Sequence, residues 1–495
     1  MISFLKSCWR RRWLRGVVYT LVSLLLVAVL LYQWINWKGA RAWQAAQDRY
    51  SADGETLDIA KLLPQPIPEA QNYGAIPLLR YIALESGSDA RRRLGELELG
   101  SSSERPALAD GVTRGQAIDL KAWEKWLRAE ERWALPEAER NPAATIMQML
   151  KSKDEVVEPL VAALDRRGCR WIPEWEDAAL PGNFFAIPMP HYQPVQRMAR
   201  YLCLRSVVAA QLGDARQAHD LVRVQLRLAQ ASLEDPFLIG ELVGAAVLKM
   251  AMSSIWEICR LHVGTVDDFR VLSEELAEFD LHAAVLRACR TELAGAVGTL
   301  QWLKSANQNG ALLMAADPKE PSHLDRLGRL IPSGWVDLNM ATLVDLEHRW
   351  LIKPLREGGL RAMIHSTELR DELVRRGGWW HVDSVFAKLV IPSVQLISAR
   401  LAQTQAEVDQ AIIACGLEQA RLATQGYPET LPVELQRTDV MSGQPMHYQR
   451  QTDGAYRLWS VGPDGVDGGG VRPSDEAMAK KMSSADYKGD WVWAF

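Results

Sequence analysis

The sequence lacks the short motifs that mark the common catalytic and nucleotide-binding sites. Its 495 residues contain no HExxH or HxH pairing of metal ligands, no GxSxG nucleophile turn and no GxxxxGK[ST] phosphate-binding loop. The nine histidines are scattered, and adjacent carboxylates such as Glu130-Glu131 fall on helix-forming stretches where water solvates them. We therefore predict no catalytic or cofactor-binding residues.

No net positive charge remains beyond the first fifteen residues. The formal net charge is −4, and residues 1–15 carry five basic side chains and no acid, which leaves −9 for the other 480 residues. Binding to phosphates needs a basic face, so no nucleic-acid partner is expected. A chain that is 48% hydrophobic and 24% charged is ordinary for a protein with large cores, which excludes disorder as its main state.

One long stretch without charge runs from Gly16 to Trp37. At about 1.5 Å per residue, a helix of this length covers roughly 33 Å, enough for a hydrocarbon core of about 30 Å. Tryptophans flank the stretch on both sides, and basic residues concentrate before it, which places the N-terminus in the cytoplasm. We predict a single-pass anchor in the lipid bilayer of a bacterial inner membrane, with the bulk of the chain in the periplasm.

Two questions stay open for the anchor and the cysteines. Ala40-Arg41-Ala42 has the small-x-small form of a signal-peptidase site, so cleavage of the segment is one alternative. The length of the apolar run favours the other, an anchor that is retained. Of the six cysteines, Cys8 precedes the run and five follow it without any CxxC spacing. A disulfide between Cys259 and Cys289 is one interpretation, but burial of all five as small apolar side chains is favoured.

The change of composition along the chain predicts a mainly α fold in five segments. These are a basic cytoplasmic tail (1–15), the transmembrane helix (16–37), a juxtamembrane helix with a proline-rich connector (38–77), a large helical body (78–376) and a small α+β domain (377–495). Within the body, Ala199–Ala218 resembles one tetratricopeptide-type hairpin, without a second copy 34 residues away. Strand signals begin only after residue 430, at Pro445–Arg450, Ala455–Val461 and Asp490–Phe495.

An ordered set of short motifs occupies residues 388–495. In chain order they are Leu389-Val390-Ile391-Pro392, Gly426-Tyr427-Pro428, Met441-Ser442-Gly443-Gln444-Pro445-Met446-His447-Tyr448, Leu458-Trp459-Ser460-Val461-Gly462-Pro463-Asp464-Gly465 and Gly489-Asp490-Trp491. Together they resemble the globular region of the major pseudopilins of type II secretion. The resemblance implies a long amphipathic helix followed by a small sheet. The charged stretch 371–386 before it is not expected to cross a membrane, as the N-terminal helix of a pilin does.

The same resemblance implies a calcium site in the last loop, where the major pseudopilin binds this ion. The residues carried over are Ser460, Val461, Asp464, Asp467 and Asp490. Carboxylate and backbone carbonyl oxygens are the ligands that calcium prefers, and the glycine-rich loop 462–470 can supply both kinds. The alternative is a loop whose aspartates only form turns in solvent.

Two functions fit these features. The first is a non-enzymatic, membrane-anchored periplasmic protein that binds other envelope proteins and is linked to secretion or pilus-like machinery. The alternative is an envelope hydrolase acting on cell-wall or glycan material, with its site in the proline-rich loop 171–194 around His191. The sequence leaves the oligomeric state and the identity of the partner open.

Overall fold

The computed structural model shows a mainly helical protein with few strands, which confirms the predicted fold class at this level. It describes residues 12–80, 82, 89–100, 105–108, 112, 115–130, 133, 140–172, 184, 187–305, 331–364, 368–376, 382–472 and 489–495. The greater part of the predicted basic tail, and most of the 171–194 loop, therefore lie outside the described residues.

The predicted membrane segment and the juxtamembrane segment form one continuous helix, α1 (Arg12–Ala52). Its 41 residues contain no proline, so every backbone N–H beyond the first turn can join the helical ladder. The helix ends before Gly54, whose φ of 79° lies in the left-handed region that glycine adopts without steric cost. The apolar half and the polar half of α1 therefore form one uninterrupted helix.

The body consists of twelve further helices in the described part of the chain. They are α2 (Asp89–Gly95), α3 (Leu120–Ala129), α4 (Pro142–Lys151), α5 (Asp154–Ala162), α6 (Tyr192–Gln211), α7 (Ala215–Leu233), α8 (Leu238–Leu261), α9 (Val266–Leu276), α10 (Leu281–Ser305), α11 (Ser333–Glu347), α12 (Lys353–Ile364) and α13 (Glu368–Arg375). A π-helical turn, His348–Ile352, joins α11 to α12.

The centre of the body is built by α6, α7 and α8, which pack against one another. The first two form the predicted hairpin, where Ser206 Oγ donates a hydrogen bond to the Ala218 carbonyl at 2.9 Å. Helix α8 is apolar enough to span a membrane by composition, but 72% of its most apolar window is buried inside the protein. It is the core helix of the body, as an all-round apolar helix inside a large protein should be.

The proline-rich segment after α1 is packed onto the body. Tyr73 is fully buried and donates its hydroxyl proton to the Leu160 carbonyl at 3.0 Å. Asn72 pairs with Gly168 in an isolated bridge, and its side chain exchanges hydrogen bonds with the backbone of Arg170. This segment is thus a structured strap that covers the body, not a free spacer.

The C-terminal region combines the long helix α14 (Val385–Thr424) with an antiparallel sheet of three strands. The strands are β1 (His447–Arg450), β2 (Tyr456–Ser460) and β3 (Trp491–Ala494), in spatial order β1-β2-β3. Helix α14 passes through Pro392 and packs on α8 and α9, and Trp256 of α8 donates its ring N–H to the Ala494 carbonyl at 3.0 Å. One hydrophobic core therefore runs through body and C-terminal region.

Candidate functional site

The first half of α1 is an exposed apolar rod. Its large apolar side chains are solvent-exposed from Val17 to Leu31, and the helix near the N-terminus is long and apolar enough to cross a membrane. Two cation–π pairs follow it: Lys38 Nζ lies 5.0 Å from the Trp34 ring, and the Arg41 guanidinium lies 5.0 Å from the Trp37 ring. Aromatic and basic side chains in this order are typical of the boundary between hydrocarbon and water.

The second half of α1 is docked tightly on α11. The two helices touch at glycines, since a Cβ at Gly39 would lie only 2.1 Å from the Gly334 carbonyl oxygen. The amide oxygen of Asn36 accepts a hydrogen bond from Gly334 N at 2.9 Å. Thirteen residues further along α1, Arg49 pairs with Asp345. We call this contact, made by Asn36, Gly39, Arg49, Gly334 and Asp345, the anchor junction.

A buried ionic group continues the junction beyond the end of α1. The carboxylate of Glu55 accepts two hydrogen bonds from Arg290, at 2.6 and 2.7 Å, and one from Arg356 at 2.9 Å. Glu55 is only 7% exposed, so these charge-assisted bonds are shielded from solvent. They tie the exit of the anchor helix to α10 and α12.

The structure brings the three aspartates of the predicted calcium site near one another. Asp464 and Asp467 both lie close enough to Asp490 to raise the pKa of its carboxyl, although burial is the larger cause of that rise. Asp490 accepts hydrogen bonds from Gly468 N at 3.1 Å and Gly470 N at 2.7 Å. Through these two bonds, Asp490 fixes the backbone of the glycine-rich loop.

Asp467, a second predicted ligand, is already engaged by hydrogen bonds. Asp467 accepts hydrogen bonds from the Trp459 ring N–H at 2.8 Å and from Gly469 N at 2.9 Å, and these donors lower its pKa. Within the described ranges, no three His, Cys, Asp or Glu side chains are arranged to hold a metal ion. This conformation shows no preformed calcium cage, and calcium binding stays a prediction.

Asp439 holds the remaining two predicted ligands, and sequence reasoning missed it. Its carboxylate accepts hydrogen bonds from Ser460 Oγ at 2.6 Å and from Val461 N at 3.2 Å, and it also caps the turn at Met441 N. Asp439 is fully buried. The signal in the sequence is an aspartate three residues before Ser442-Gly443, since an aspartate at the start of a turn commonly accepts the backbone N–H two residues on, here that of Met441.

His191, around which the hydrolase alternative was built, is fully buried. Its Nε2 lies 2.7 Å from a carboxylate oxygen of Asp235, and its ring stacks on Trp171 with centroids 5.3 Å apart. The ring of Tyr192 covers it from another side, at 4.2 Å between centroids. A carboxylate does meet His191, as hydrolase chemistry requires, but in this conformation the pair is closed to any substrate.

Buried carboxylates that the sequence analysis did not single out lie in the same part of the core. Burial raises the pKa of Glu234 and of Glu292 to about 7, and it raises that of Glu241 and Glu347 well above the usual range. Neither carboxylate oxygen of Glu241 has a hydrogen-bond partner in the described part of the chain. Such groups are stable in the core only when they are neutral.

All five cysteines after the membrane segment are buried and unpaired, which confirms the favoured interpretation. Burial raises the pKa of the Cys169, Cys203, Cys259 and Cys289 thiols. The alternative disulfide between Cys259 and Cys289 is not formed. These thiols serve as small apolar side chains of the core.

Comparison of the chain with protein-family models, with curated proteins and with solved structures gives no match. The fold and the first helix define a mainly helical protein with an N-terminal helix able to span a membrane. The resemblance of residues 388–495 to the major pseudopilins rests on their own motifs.

Proposed function

We propose that this protein is a rigid, membrane-anchored scaffold of the bacterial envelope, which acts by binding other envelope proteins. In this proposal α1 stays in the inner membrane, residues before Gly16 face the cytoplasm, and the body lies in the periplasm. The single observation that carries the proposal is the anchor junction. A helix that only tethered an enzyme would need no close contact with it, whereas here the rod is packed into the body.

The geometry of the junction supports a scaffold role. Helix α11 runs parallel to the second half of α1, because Asn36 meets Gly334 at one end and Arg49 meets Asp345 at the other. The buried Glu55 group adds a further attachment beyond the helix end. The body would therefore stand at one fixed height and orientation above the membrane.

The C-terminal region supports secretion or pilus-like machinery as the setting. Its motifs resemble those of the major pseudopilins, and its helix α14 is followed by an antiparallel sheet, the order that the resemblance implies. Exposed valines, at Val433 and Val466, lie on this region. In our proposal the C-terminal region contacts the partner.

The hydrolase alternative has no comparable support. Its expected centre, His191 with Asp235, is buried between Trp171 and Tyr192. A general acid or base must come within hydrogen-bond reach of its substrate, and the described geometry leaves no path to this pair. The dyad fits a hydrogen-bonded core histidine.

Site-specific photo-cross-linking tests the proposal. A photoreactive amino acid replaces Val433 or Val466 in the full chain, and Val266 on α9, which is also an exposed valine, is the matched control. We expect ultraviolet light on intact cells to give discrete adducts with envelope proteins from the first two positions and not from the control. Equal patterns from all three positions, or none at all, would contradict a partner surface on the C-terminal region.

A further inference from the structure

A cavity of about 270 Å³ lies between α11, the π-helical turn and α13. Its walls carry three arginines, two carboxylates and two large apolar side chains. They are Arg349, Arg375, Arg376, Asp345, Glu372, Leu346 and Trp350, with Thr342. None of the sequence predictions includes this cavity.

The charges of the cavity wall do not cancel. Glu372 is held by Arg376, whose Nε donates to it at 2.6 Å, and by Arg375. Asp345 is held by Arg49 of the anchor junction. Both carboxylates are thus already neutralised, and Arg349 is exposed and has no ion-pair partner among the described residues. The three arginines and two carboxylates of the wall sum to one net positive charge, which complements a monoanion.

The π-helical turn orients two of the side chains that line the cavity. A π turn inserts an extra residue into a helix and so rotates the side chains that follow it, and such turns occur frequently at functional sites. Here the turn spans His348–Ile352 and carries both Arg349 and Trp350. The guanidinium offers a planar donor fork for a carboxylate, while Trp350 and buried Leu346 offer an apolar wall.

We infer that this cavity binds a small apolar monocarboxylate, with its carboxylate on Arg349 and its apolar part against Leu346 and Trp350. The cavity is slightly smaller than the usual ligand site, which limits the ligand to about the size of an N-acylated amino acid. The C-terminal residue of a partner chain and a free apolar acid share this chemistry. The inference does not depend on the proposed scaffold role.

Calorimetric titration of the detergent-solubilised full chain tests it with defined probes. N-acetyl-leucine carries the carboxylate and an apolar side chain, N-acetyl-leucinamide lacks only the charge, and inorganic phosphate supplies a more highly charged anion without an apolar part. We expect saturable binding of N-acetyl-leucine and at least tenfold weaker binding of the other two. Binding of the amide as tight as that of the acid, or no binding of the acid, would overturn the inference.

Variants separate the cavity from general charge effects. Arg349→Gln should weaken N-acetyl-leucine binding about tenfold or more, because charge-assisted hydrogen bonds are lost. The matched control is Arg216→Gln, which removes an exposed arginine beside a different cavity and should change binding less than twofold. Equal effects of the two variants would place the acid elsewhere.

A tetrapeptide, compared with N-acetyl-leucine, distinguishes the source of the ligand. Tighter binding of a tetrapeptide that ends in leucine with a free carboxylate would indicate a chain terminus. Equal or weaker binding than N-acetyl-leucine would indicate a free acid, and both results require the cavity.

Discussion

Arg49, in the last turn of the anchor helix, donates two hydrogen bonds to the Asp345 carboxylate, at 2.7 and 2.9 Å. The two residues lie 296 positions apart in the sequence. About three turns earlier on α1, Gly39 meets Gly334, so that the same two helices touch at their backbones. Helix α1 is thus an integral part of the fold, and breaking its contacts should cost stability.

The first prediction concerns the glycine contact. Gly39→Ala should lower the free energy of unfolding by about 1–3 kcal/mol, because the new Cβ would lie 2.1 Å from the Gly334 carbonyl oxygen and force the helices apart. Gly16→Ala on the same helix is the control, since a Cβ there meets nothing within 4 Å. Thermal unfolding in detergent measures both variants. Equal midpoints would mean that the helix is not docked as described.

The second prediction ranks the two ionic contacts of the junction. Glu55→Gln should cost about 1–3 kcal/mol, because it removes the buried carboxylate that accepts the hydrogen bonds of the partly exposed Arg290 and Arg356. Arg49→Gln should cost less than about 1 kcal/mol, because both members of its pair are largely exposed. Urea unfolding compares the variants. A larger loss of stability for Arg49→Gln than for Glu55→Gln would contradict the proposed ranking of the two contacts.

The third prediction concerns pH. The folded pKa of Glu292, about 7, lies above the 4.5 of an unfolded glutamate, so the folded state binds more protons between these values. Stability should therefore fall as the pH rises from about 4.5 to 7. Glu292→Gln should remove this loss, raising stability at pH 8 by up to about 3 kcal/mol and leaving it unchanged at pH 4.5.

The control for the pH prediction is Glu274→Gln, which changes an exposed carboxylate paired with Arg270. Its stability should follow the wild-type pH dependence. The Glu292 side chain faces other titratable groups of the core, namely Glu241, Glu347, Tyr192 and Cys289. If Glu292→Gln kept the wild-type dependence of stability on pH, those neighbours and not Glu292 would be its cause.

The fourth prediction tests calcium on the same thermal transition. A cation that binds only the folded state raises its midpoint, so the sequence-based expectation is a higher midpoint in millimolar calcium than in chelator. Asp464→Asn should abolish the difference, because it removes the charge of one of the three aspartates proposed as ligands, a half-buried carboxylate that accepts a hydrogen bond only from Val466 N among the described residues. Identical midpoints with and without calcium would contradict calcium binding. The hydrogen bonds to Asp490 and Asp467 would then be what holds the loop.

Local signals in the sequence predicted much of the secondary structure. Asn141 before Pro142 is a sequence signal for a helix start, and its side chain accepts a hydrogen bond from Ala143 N. Thr265 and Asp268 have the spacing of a capping box and form one. The Asp453-Gly454 pair is a hairpin signal and lies in the turn between β1 and β2, with Gly454 at φ 89°. These features depend on neighbours within four residues, so the sequence contains all the information that fixes them.

Long-range contacts were beyond such reasoning. Nothing near Gly39 indicates that Gly334 lies against it, and nothing near Glu241 indicates that other buried carboxylates share its part of the core. The same limit applies to Asp439, whose partners Ser460 and Val461 come from a strand 21 residues later. The resemblance to the major pseudopilins named these last two as calcium ligands, and nothing in the sequence indicated that Asp439 bonds to them.

The central claim is that α1 stays in the membrane and holds the body outside the cytoplasm. Alkaline phosphatase and a green fluorescent protein, each fused after Phe495 of the full chain, report the side on which the C-terminus lies. The account predicts active phosphatase and a dark fluorescent protein in living cells. A fluorescent fusion with inactive phosphatase would contradict the orientation, the envelope partners and the periplasmic setting together.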